Sequence, residues 1–427
     1  MSAGFEEAAA GPGIAEAPAS ERDLGRTPRL DFGHIRADIE ALAAMERGSA
    51  AEDKPQVAWL ERRLRDAGAH ELHTESFRFQ RRWIWRYGAH GAAGIGAAAL
   101  GGPLGAALAT AAVTSVELDV SGRSTWLARL LPGGEGVNVV ARIPAAAEPE
   151  RTLVLIAHHD AQRTGLMWRL PRTKQPLALP AQAVFAVIAA GCLIGSRMLR
   201  AVGAAVLGAL MLLGLEAARG RVVPGANDNA SGVAALVALM AAFARDPLER
   251  TDVIAVFSDC EEVGLGGAAA WFAAHRDELD STQTLVVSLD TLGSGEPAIV
   301  SRDGALTANY ARTTQEWADR GALRAAVATP RRIDLVAPTD GSPANHARLH
   351  ALSLVSCAPD GTLGPHYHRP TDTPATVDYE SVEQCTRPRR RHRPRLGRGR
   401  LAEPLVEALE DRRKPVLHPR AATEREQ

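Results

Sequence analysis

Val223-Pro-Gly-Ala-Asn-Asp-Asn-Ala-Ser-Gly232 is a short polar loop that leads directly into a helix. Its proline and first glycine favour a tight turn, and Asn229 or Ser231 can cap the helix that follows. Apolar residues then recur at helical spacing, at Val233, Leu236, Val237 and Met240. The loop predicts that Asp228 is held on a rigid turn at a helix N-terminus, where its carboxylate could bridge two metal ions. Alone, such a loop is more often a solvated turn, so the interpretation depends on the rest of the chain.

Short apolar strands alternate with helices around this loop. The strand-like runs are Thr152–Ala157, Asp252–Phe257, Thr284–Leu289 and Leu352–Ser356, and a helix is predicted at Leu265–His275. Upstream, the pattern predicts a helix at Pro55–Ala67 and two neighbouring strands at Glu71–Phe79 and Gly136–Ile143. This alternation predicts an α/β fold, a three-layer α/β/α sandwich around a mixed, largely parallel sheet with apolar helical insertions. In such sheets the binding and catalytic residues lie at the carboxyl ends of the strands.

Residues that can bind metals follow these strands where each strand ends. His158-His159-Asp160 follows the run at Thr152–Ala157, and Asp290 follows the run at Thr284–Leu289. Three residues separate Phe257 from the adjacent pair Glu261-Glu262, and a late loop adds His366 and His368. Histidines combined with carboxylates form a nitrogen and oxygen site that suits zinc.

The spacing of these residues also predicts their roles. Because side chains alternate along a strand, His158 and Asp160 share a side, and Asp160 can orient the histidine ring through the nitrogen that the metal does not use. Glu261 and Glu262 point in different directions, so one can coordinate a metal while the other acts as general base on a metal-bridging water. Such a water replaces a serine, cysteine or threonine nucleophile.

Each of these residues has a plainer explanation when it is taken singly. A lone histidine is more often a structural residue, and a glutamate pair more often begins a solvated helix. Their joint occurrence at successive strand ends favours the metal site. The remaining candidates are expected to be structural or solvent-facing: His159, His346, His350 and His366.

The composition excludes several classes of protein. A formal net charge of -1 over 427 residues argues against a nucleic-acid partner. The four cysteines are far apart and form no C-x-x-C pair, so neither a zinc knuckle nor a disulfide framework is indicated. Residues 1–30 are expected to be a disordered leader without a signal peptide. For residues 386–427, a basic Arg/Pro-rich tail, the alternatives are a solvated segment and a frameshift product.

Two apolar insertions, at 83–117 and 165–220, interrupt the predicted sheet. Leu177–Ser196 and Ala201–Leu215 form a predicted membrane hairpin, and Gly88–Val116, broken at Gly101-Gly102-Pro103, is a second candidate. The alternative is a set of buried or partner-binding helices, because alanine and glycine make both insertions only moderately hydrophobic. Arginines and lysines are more numerous at the base of the hairpin formed by Leu177–Ser196 and Ala201–Leu215 than at its tip. Positive-inside bias then predicts a membrane-associated protein with its catalytic domain in the cytoplasm.

Five segments together resemble peptidase family M28, the co-catalytic zinc peptidases that include the bacterial leucyl aminopeptidases. They are AHHDA at Ala157–Ala161, PGANDNASG at Pro224–Gly232, CEEVGLGG at Cys260–Gly267, SLDTLG at Ser288–Gly293 and YHRPTDT at Tyr367–Thr373. The similarity covers residues 31–385, with the apolar runs as insertions, and implies a zinc exopeptidase-like fold. Its departures are the 68-residue separation of Asp160 and Asp228 and the arginine-rich tail in place of a C-terminal amphipathic helix.

The resemblance implies a residue-by-residue assignment. His158 and Asp290 would bind one of two Zn²⁺ ions, Glu262 and His368 the other, and Asp228 would bridge them. Glu261 would be the general base and Asp160 the supporting carboxylate. The implied reaction is hydrolysis of the peptide bond after an N-terminal residue, on peptide substrates with a free N-terminus.

Two alternatives to this function remain at this point. An M20-like carboxypeptidase or deacylase has the same order of ligands, but the 78 residues between Asp290 and His368 leave little room for the domain that it usually inserts there. A non-catalytic, receptor-like relative would keep the fold without the metals. The complete set of ligand positions argues against it.

Overall fold

The computed structural model describes residues 32–169, 181–304, 309–312, 314–316, 318–319, 330–335 and 337–386. The predicted leader and all of the arginine-rich tail beyond Thr386 lie outside these residues, as does the start of the apolar run at Leu177–Ser196. The division into leader, peptidase domain and tail therefore stays a prediction.

The described residues contain an eight-stranded mixed sheet, in the order β1-β2-β4-β3-β5-β8-β6-β7. The central strands β4, β3, β5 and β8 run parallel to one another, whereas β1, β2 and β6 join antiparallel neighbours. Strand β7 pairs in parallel with β6 at the edge. The bounds are β1 Glu71–Phe79, β2 Gly134–Ile143, β3 Arg151–His158, β4 Thr251–Ser258, β5 Thr284–Leu289, β6 Glu296–Asp303, β7 Arg331–Leu335 and β8 His350–Cys357.

Helices cover both faces of this sheet. One face carries α1 Phe32–Ala43, α2 Pro55–Asp66, α8 Gly232–Arg245 and α11 Tyr379–Thr386, and the other carries α9 Gly266–Ala274 and α10 Gly341–His346. Successive strand residues alternate between the two cores: Leu153 and Leu155 pack with α8, whereas Val154 and Ile156 pack with Trp271 of α9. The three-layer α/β/α sandwich predicted from the sequence is therefore confirmed.

Most of the predicted elements lie where the sequence placed them. The runs ending at Ala157, Phe257 and Leu289 are the parallel strands β3, β4 and β5, and the two upstream strands pair antiparallel as β1 and β2. Strands β6 and β7 and helix α1 were not predicted. Strand β6 contains a proline and strand β7 alternates charged and apolar residues, so neither has the continuous apolar pattern of the central strands.

The two insertions fold together into one four-helix bundle, which we call the inserted bundle. It consists of α3 Ile84–Leu100, α4 Gly102–Val120, α6 Ala181–Leu193 and α7 Arg197–Ala218. Ala97, Ala109 and Leu207 lie in its shared core with Phe185 and Ile188. A short helix, α5 Trp126–Leu130, links α4 to the sheet. Both sequence-predicted hairpins are thus helical, with their turns at Gly101 and at Leu193–Ser196.

Among the residues that the structure describes, three helical segments are long and apolar enough to cross a membrane: Gly102–Val120, Arg197–Ala218 and Ala226–Arg245. In the third, 78% of the apolar stretch is buried, because it contains α8 and packs against the sheet, so it is a core helix of the α/β domain. The other two belong to the inserted bundle, and only 33% and 17% of their apolar stretches are buried. Within the described part of the chain, the candidates for membrane contact are therefore confined to the bundle.

Candidate metal centre

The parallel strands bring the predicted metal-binding residues to one edge of the sheet. His158 at the end of β3 is in register with Ser258 at the end of β4, and Ile156 is in register with Ser288 of β5. The segments that follow β4 and β5, which carry Glu261, Glu262 and Asp290, therefore begin at the same level as His158.

Asp228 enters the site on the turn Ala226–Ser231, immediately before α8. Asn229 caps this helix, since its side-chain oxygen accepts a hydrogen bond from the Gly232 N–H at 3.0 Å. The carboxylate of Asp372 accepts hydrogen bonds from the backbone N–H groups of Asn227 and Asp228, at 2.8 and 3.1 Å. These bonds fix the turn that presents Asp228, as the loop sequence predicted.

The two carboxylate oxygens of Asp228 face two different histidines. Its Oδ1 lies 3.3 Å from His158 Nε2, and its Oδ2 lies 2.9 Å from His368 Nε2. Asp290 Oδ1 is 3.8 Å from His158 Nε2, whereas Glu262 Oε2 is 3.2 Å from His368 Nε2. The five side chains therefore divide into one pair on each side of Asp228.

Several atoms that point into this centre form no hydrogen bond of good geometry with the residues that the structure describes, although the histidine nitrogens lie close to the carboxylates. Among the described residues, no hydrogen bond reaches His158 Nε2, His368 Nε2, Asp228 Oδ2 or Glu262 Oε1, although all are buried. Ligand atoms of His158, Asp228 and Glu262 lie within 4.8 Å of one another. Buried polar groups without partners are costly, and a cation would satisfy nitrogen and oxygen donors together. The donor set thus fits zinc.

Glu261 approaches the same centre from the side of His158, with Oε2 3.9 Å from His158 Nε2. Burial raises the pKa of Glu261 well above its ordinary value, against the opposing effect of His158, and the negative charge of Glu262 raises it further. Burial likewise raises the pKa of Glu262 to about 7. The pKa of Asp228 is lowered instead. Burial alone would raise it, but the effects of His158 and His368 are together larger and hold the pKa below the ordinary value.

Asp160 supports both His158 and the glutamate pair. Its backbone oxygen lies 3.2 Å from His158 Nδ1, and its carboxylate Oδ1 lies 3.4 Å from the same nitrogen. The carboxylate also accepts hydrogen bonds from the N–H groups of Glu261 and Glu262 and from the Ser49 hydroxyl. The sequence predicted the contact with the histidine, whereas the contacts with the glutamate loop were not foreseen.

Several supporting residues were missed at the sequence level. Gln162 donates a hydrogen bond from its side chain to Glu262 Oε2 at 2.8 Å. Arg47 is fully buried and donates to the carbonyl oxygens of His159, Pro224 and Gly225, which ties the His158 strand to the Asp228 loop. Gln162 directly follows the motif at Ala157–Ala161 and Asp372 lies within the motif at Tyr367–Thr373, so both could have been suspected, but no local pattern marks Arg47.

Aromatic side chains enclose the His368 side of the centre. The Tyr367 ring stacks on His368 with centroids 3.6 Å apart, and Trp168 packs edge-on at 4.3 Å. Trp168 belongs to the segment that leads into the inserted bundle, and its carbonyl accepts a hydrogen bond from Arg369 Nε. The insertion therefore forms part of the wall of the site.

The backbone adopts a left-handed conformation at three non-glycine residues of the centre. Cys260 precedes the glutamate pair, Thr291 follows Asp290, and His368 is itself a candidate ligand; their φ values are 63°, 51° and 58°. Such conformations cost energy and cluster at functional sites. Of the histidines expected to be structural or solvent-facing, His159 bonds to the Val137 carbonyl, and half-buried His366 contacts the Thr371 hydroxyl.

Comparisons with known proteins agree with this arrangement. The sequence profile of peptidase family M28 matches residues 138–388, more than half of the chain. The chain belongs to peptidase family M28, a family of zinc-dependent metallopeptidases. No curated protein matches the sequence significantly.

Solved structures share the fold at low sequence identity. A Zn-dependent exopeptidase from Parabacteroides distasonis matches with a TM-score of 0.52 and 11% identity, over 91% of this chain and 100% of its own. The zinc aminopeptidase of Bacillus subtilis gives 0.51 and 12%, over 90% and 95%. The glutaminyl cyclase of Tannerella forsythia gives 0.52 and 14%, over 90% and 99%. At such identities the likeness concerns the fold alone.

Proposed function

We propose that this protein is a membrane-associated di-zinc aminopeptidase that removes N-terminal residues from peptides. The observation that carries the proposal is the convergence of His158, Asp228, Glu262, Asp290 and His368, with Glu261 beside them, on one buried centre. The family assignment supports peptidase chemistry. The choice of an aminopeptidase over other exopeptidases is part of the proposal.

Two cations fit the centre better than one. In this assignment His158 and Asp290 would hold one Zn²⁺, Glu262 and His368 would hold the other, and Asp228 would contribute to both. The charges support this number, because Asp228, Glu261, Glu262 and Asp290 carry four negative charges when ionised, which two divalent cations balance. One Zn²⁺ would leave two buried negative charges without compensation, which is unfavourable at low dielectric.

Zinc bound here would supply a Lewis acid that polarises the substrate carbonyl and lowers the pKa of water. The protein residues supply the remaining functions. Glu261 accepts a proton from the attacking water and passes it to the leaving amine, a role that suits a buried carboxylate with a raised pKa. Asp160 positions His158 and the backbone of the glutamate pair. Asp372 positions Asp228, and Gln162 positions Glu262.

The experiment that tests this function combines metal analysis with a peptide panel. Purified protein is expected to contain about two zinc ions per chain and to cleave peptides with a free N-terminus but not N-acetylated ones. Cleavage from the carboxyl end, or of blocked peptides, would refute the aminopeptidase assignment. Loss of ammonia from peptides that begin with glutamine would instead indicate a cyclase.

The Glu261→Gln variant tests the general base. It is expected to lower kcat by about 10²- to 10⁴-fold, because proton transfer is removed while the volume of the side chain is kept. Its zinc content should equal that of the wild type. The exposed Glu278→Gln change serves as the control, and full activity of Glu261→Gln would exclude the proposed role.

Membrane association through residues 177–215, with 88–116 as the second hairpin, is supported by the apolar exterior of the inserted bundle. Leu104, Met198 and Leu212 are each at least 70% exposed. We further propose that the catalytic domain lies in the cytoplasm, as the positive-inside bias predicts. Protease added to intact cells should leave the catalytic domain uncut; digestion without lysis would refute this orientation.

A further inference from the structure

A narrow crevice lies between the inserted bundle and the metal centre. It is partly open to solvent, and its enclosed space is about that of one water molecule, so a larger anion would lie at its open side. It is lined by Arg81, Arg82, Arg163, Trp83, Ala218 and Gln162, among others. Each insertion contributes one of these residues, Trp83 from the first and Ala218 from the second, whereas the three arginines lie just before an insertion begins. The crevice therefore exists only in the folded molecule.

Among the residues that the structure describes, the positive charge of the crevice is only partly balanced. Neither Arg82 nor Arg163 forms an ion pair with a described residue, and the Arg163 guanidinium donates a hydrogen bond to the Gly220 carbonyl at 2.9 Å. Burial lowers the pKa of Arg163, and repulsion from Arg82 lowers it further, against a weaker attraction to Glu46. Arg81 is paired with exposed Glu52 at 3.0 Å. Two guanidinium groups are thus available to an anion.

The position of the crevice relates it to the apolar surface of the bundle. Ala218 lies three residues beyond Leu215 and six beyond Leu212 on α7, about 4.5 and 9 Å along the helix. Both leucines are exposed, at 37% and 70%. Trp83 packs against Gly214 of α7, and neighbouring Trp85 is 50% exposed. Tryptophan and arginine beside the end of an apolar surface are typical of the headgroup region of a bilayer.

We propose that this crevice binds the phosphate of an anionic phospholipid headgroup, held by Arg82 and Arg163 at the base of the inserted bundle. Guanidinium groups bind phosphate oxygens through paired hydrogen bonds, and the neighbouring bilayer supplies the ligand. The inference rests on the membrane association proposed above, but not on the peptidase activity.

The crevice also adjoins the supports of the metal centre. Gln162 lines it and bonds to Glu262, and Ser49 lines it and donates to Asp160 at 2.6 Å. The crevice is therefore lined in part by residues that hold two candidate site carboxylates.

The test uses the full chain purified in a zwitterionic detergent. Short-chain phosphatidylglycerol and short-chain phosphatidylcholine are titrated separately, and binding is followed by tryptophan fluorescence. Wild-type protein is expected to bind phosphatidylglycerol about tenfold more tightly. The Arg82→Gln/Arg163→Gln variant should lose this preference, whereas Arg62→Gln/Arg276→Gln, with the same change of charge at two exposed positions, should keep it.

Equal affinity of the wild type for the two lipids would overturn the proposal, as would an unchanged preference in the double variant. Inorganic phosphate that binds as tightly as phosphatidylglycerol would assign the crevice to a free anion instead. If the glutamine variant does not fold, Arg82→Lys/Arg163→Lys replaces it and should weaken the preference without abolishing it.

Failure of the membrane proposal itself has a different result. Carbonate extraction would then release the wild-type protein from membranes. A protein that resists extraction but shows no headgroup preference contradicts only the lipid site.

Discussion

In the α/β domain the large apolar side chains lie inside, whereas in the inserted bundle many of them lie outside. Leu153, Val154, Leu155 and Ile156 of β3 are at most 1% exposed. On the bundle, Leu193, Ile194 and Leu212 are 68–70% exposed, while its core includes Ala97, Ala98, Ala106, Ala109 and Ala112.

The membrane association proposed for the bundle accounts for this difference. In water, burial of apolar surface stabilises a fold, so large side chains move inside. In lipid this driving force is absent, and helices associate through small residues that let their backbones approach closely. The contrast therefore supports the membrane interpretation of the bundle.

The largest expected effect concerns the metal centre of the α/β domain. Asp228→Ala removes the oxygens that face both histidines, so zinc content should fall and kcat/KM should drop at least about 10³-fold. Metal analysis and peptide hydrolysis measure the two effects. Membrane association should not change, because the bundle does not include this residue. The control is Asp277→Ala at an exposed position, and normal zinc content in Asp228→Ala would contradict the bridging assignment.

The next effect distinguishes a lipid environment from a water environment around the bundle. Leu212→Arg places a charge on the exposed face of α7. In a bilayer this costs up to about 2.5–3.5 kcal/mol, whereas on a water-exposed surface the change is within about 0.5 kcal/mol. We expect less protein in the carbonate-resistant membrane fraction. Equal membrane retention together with better solubility would mean that the bundle faces water.

A third prediction concerns the close packing inside the bundle. A Cβ added at Gly105 would lie 2.5 Å from the backbone oxygen of Ala97, so Gly105→Ala forces α3 and α4 apart. The expected loss is about 1–3 kcal/mol, measured as a lower Tm in detergent. Gly96→Ala is the matched control, since nothing lies within 4 Å of its added Cβ. If both variants melt alike, the close approach of the helices is wrong.

A pH dependence of stability is expected for the α/β domain. Burial raises the pKa of Asp303 to about 7, although the Tyr310 hydroxyl and Thr339 donate hydrogen bonds to it. A carboxyl group with a raised folded-state pKa binds its proton more tightly in the folded state. Its contribution to stability is therefore complete below about pH 4 and is lost as the pH rises towards 7.

The Asp303→Asn variant tests this contribution, because its amide does not titrate. Thermal unfolding from pH 4 to pH 8 should show a smaller decrease in Tm for the variant than for the wild type. Parallel curves for the two proteins would show that Asp303 does not titrate in this range.

Part of the candidate site could be predicted because His158, Asp290 and the glutamate pair follow continuous apolar strands. Parallel pairing then brings His158 and Asp290 to one edge of the sheet without further information. Strands β6 and β7 escaped prediction, since charged residues and a proline interrupt any continuous apolar run in them. Arg47 escaped too, because its hydrogen bonds reach residues more than 100 positions away.

The α/β class, the positions of the central strands and the set of side chains that can bind zinc follow from the sequence, because period-two alternation and turn residues act locally. The tertiary structure was needed to show that the two oxygens of Asp228 face two different histidines. It was also needed to show that Gln162 and Asp372 support the candidate ligands and that the two insertions form one bundle. These features depend on contacts between distant segments, whose geometry follows from packing and cannot be obtained from local spacing.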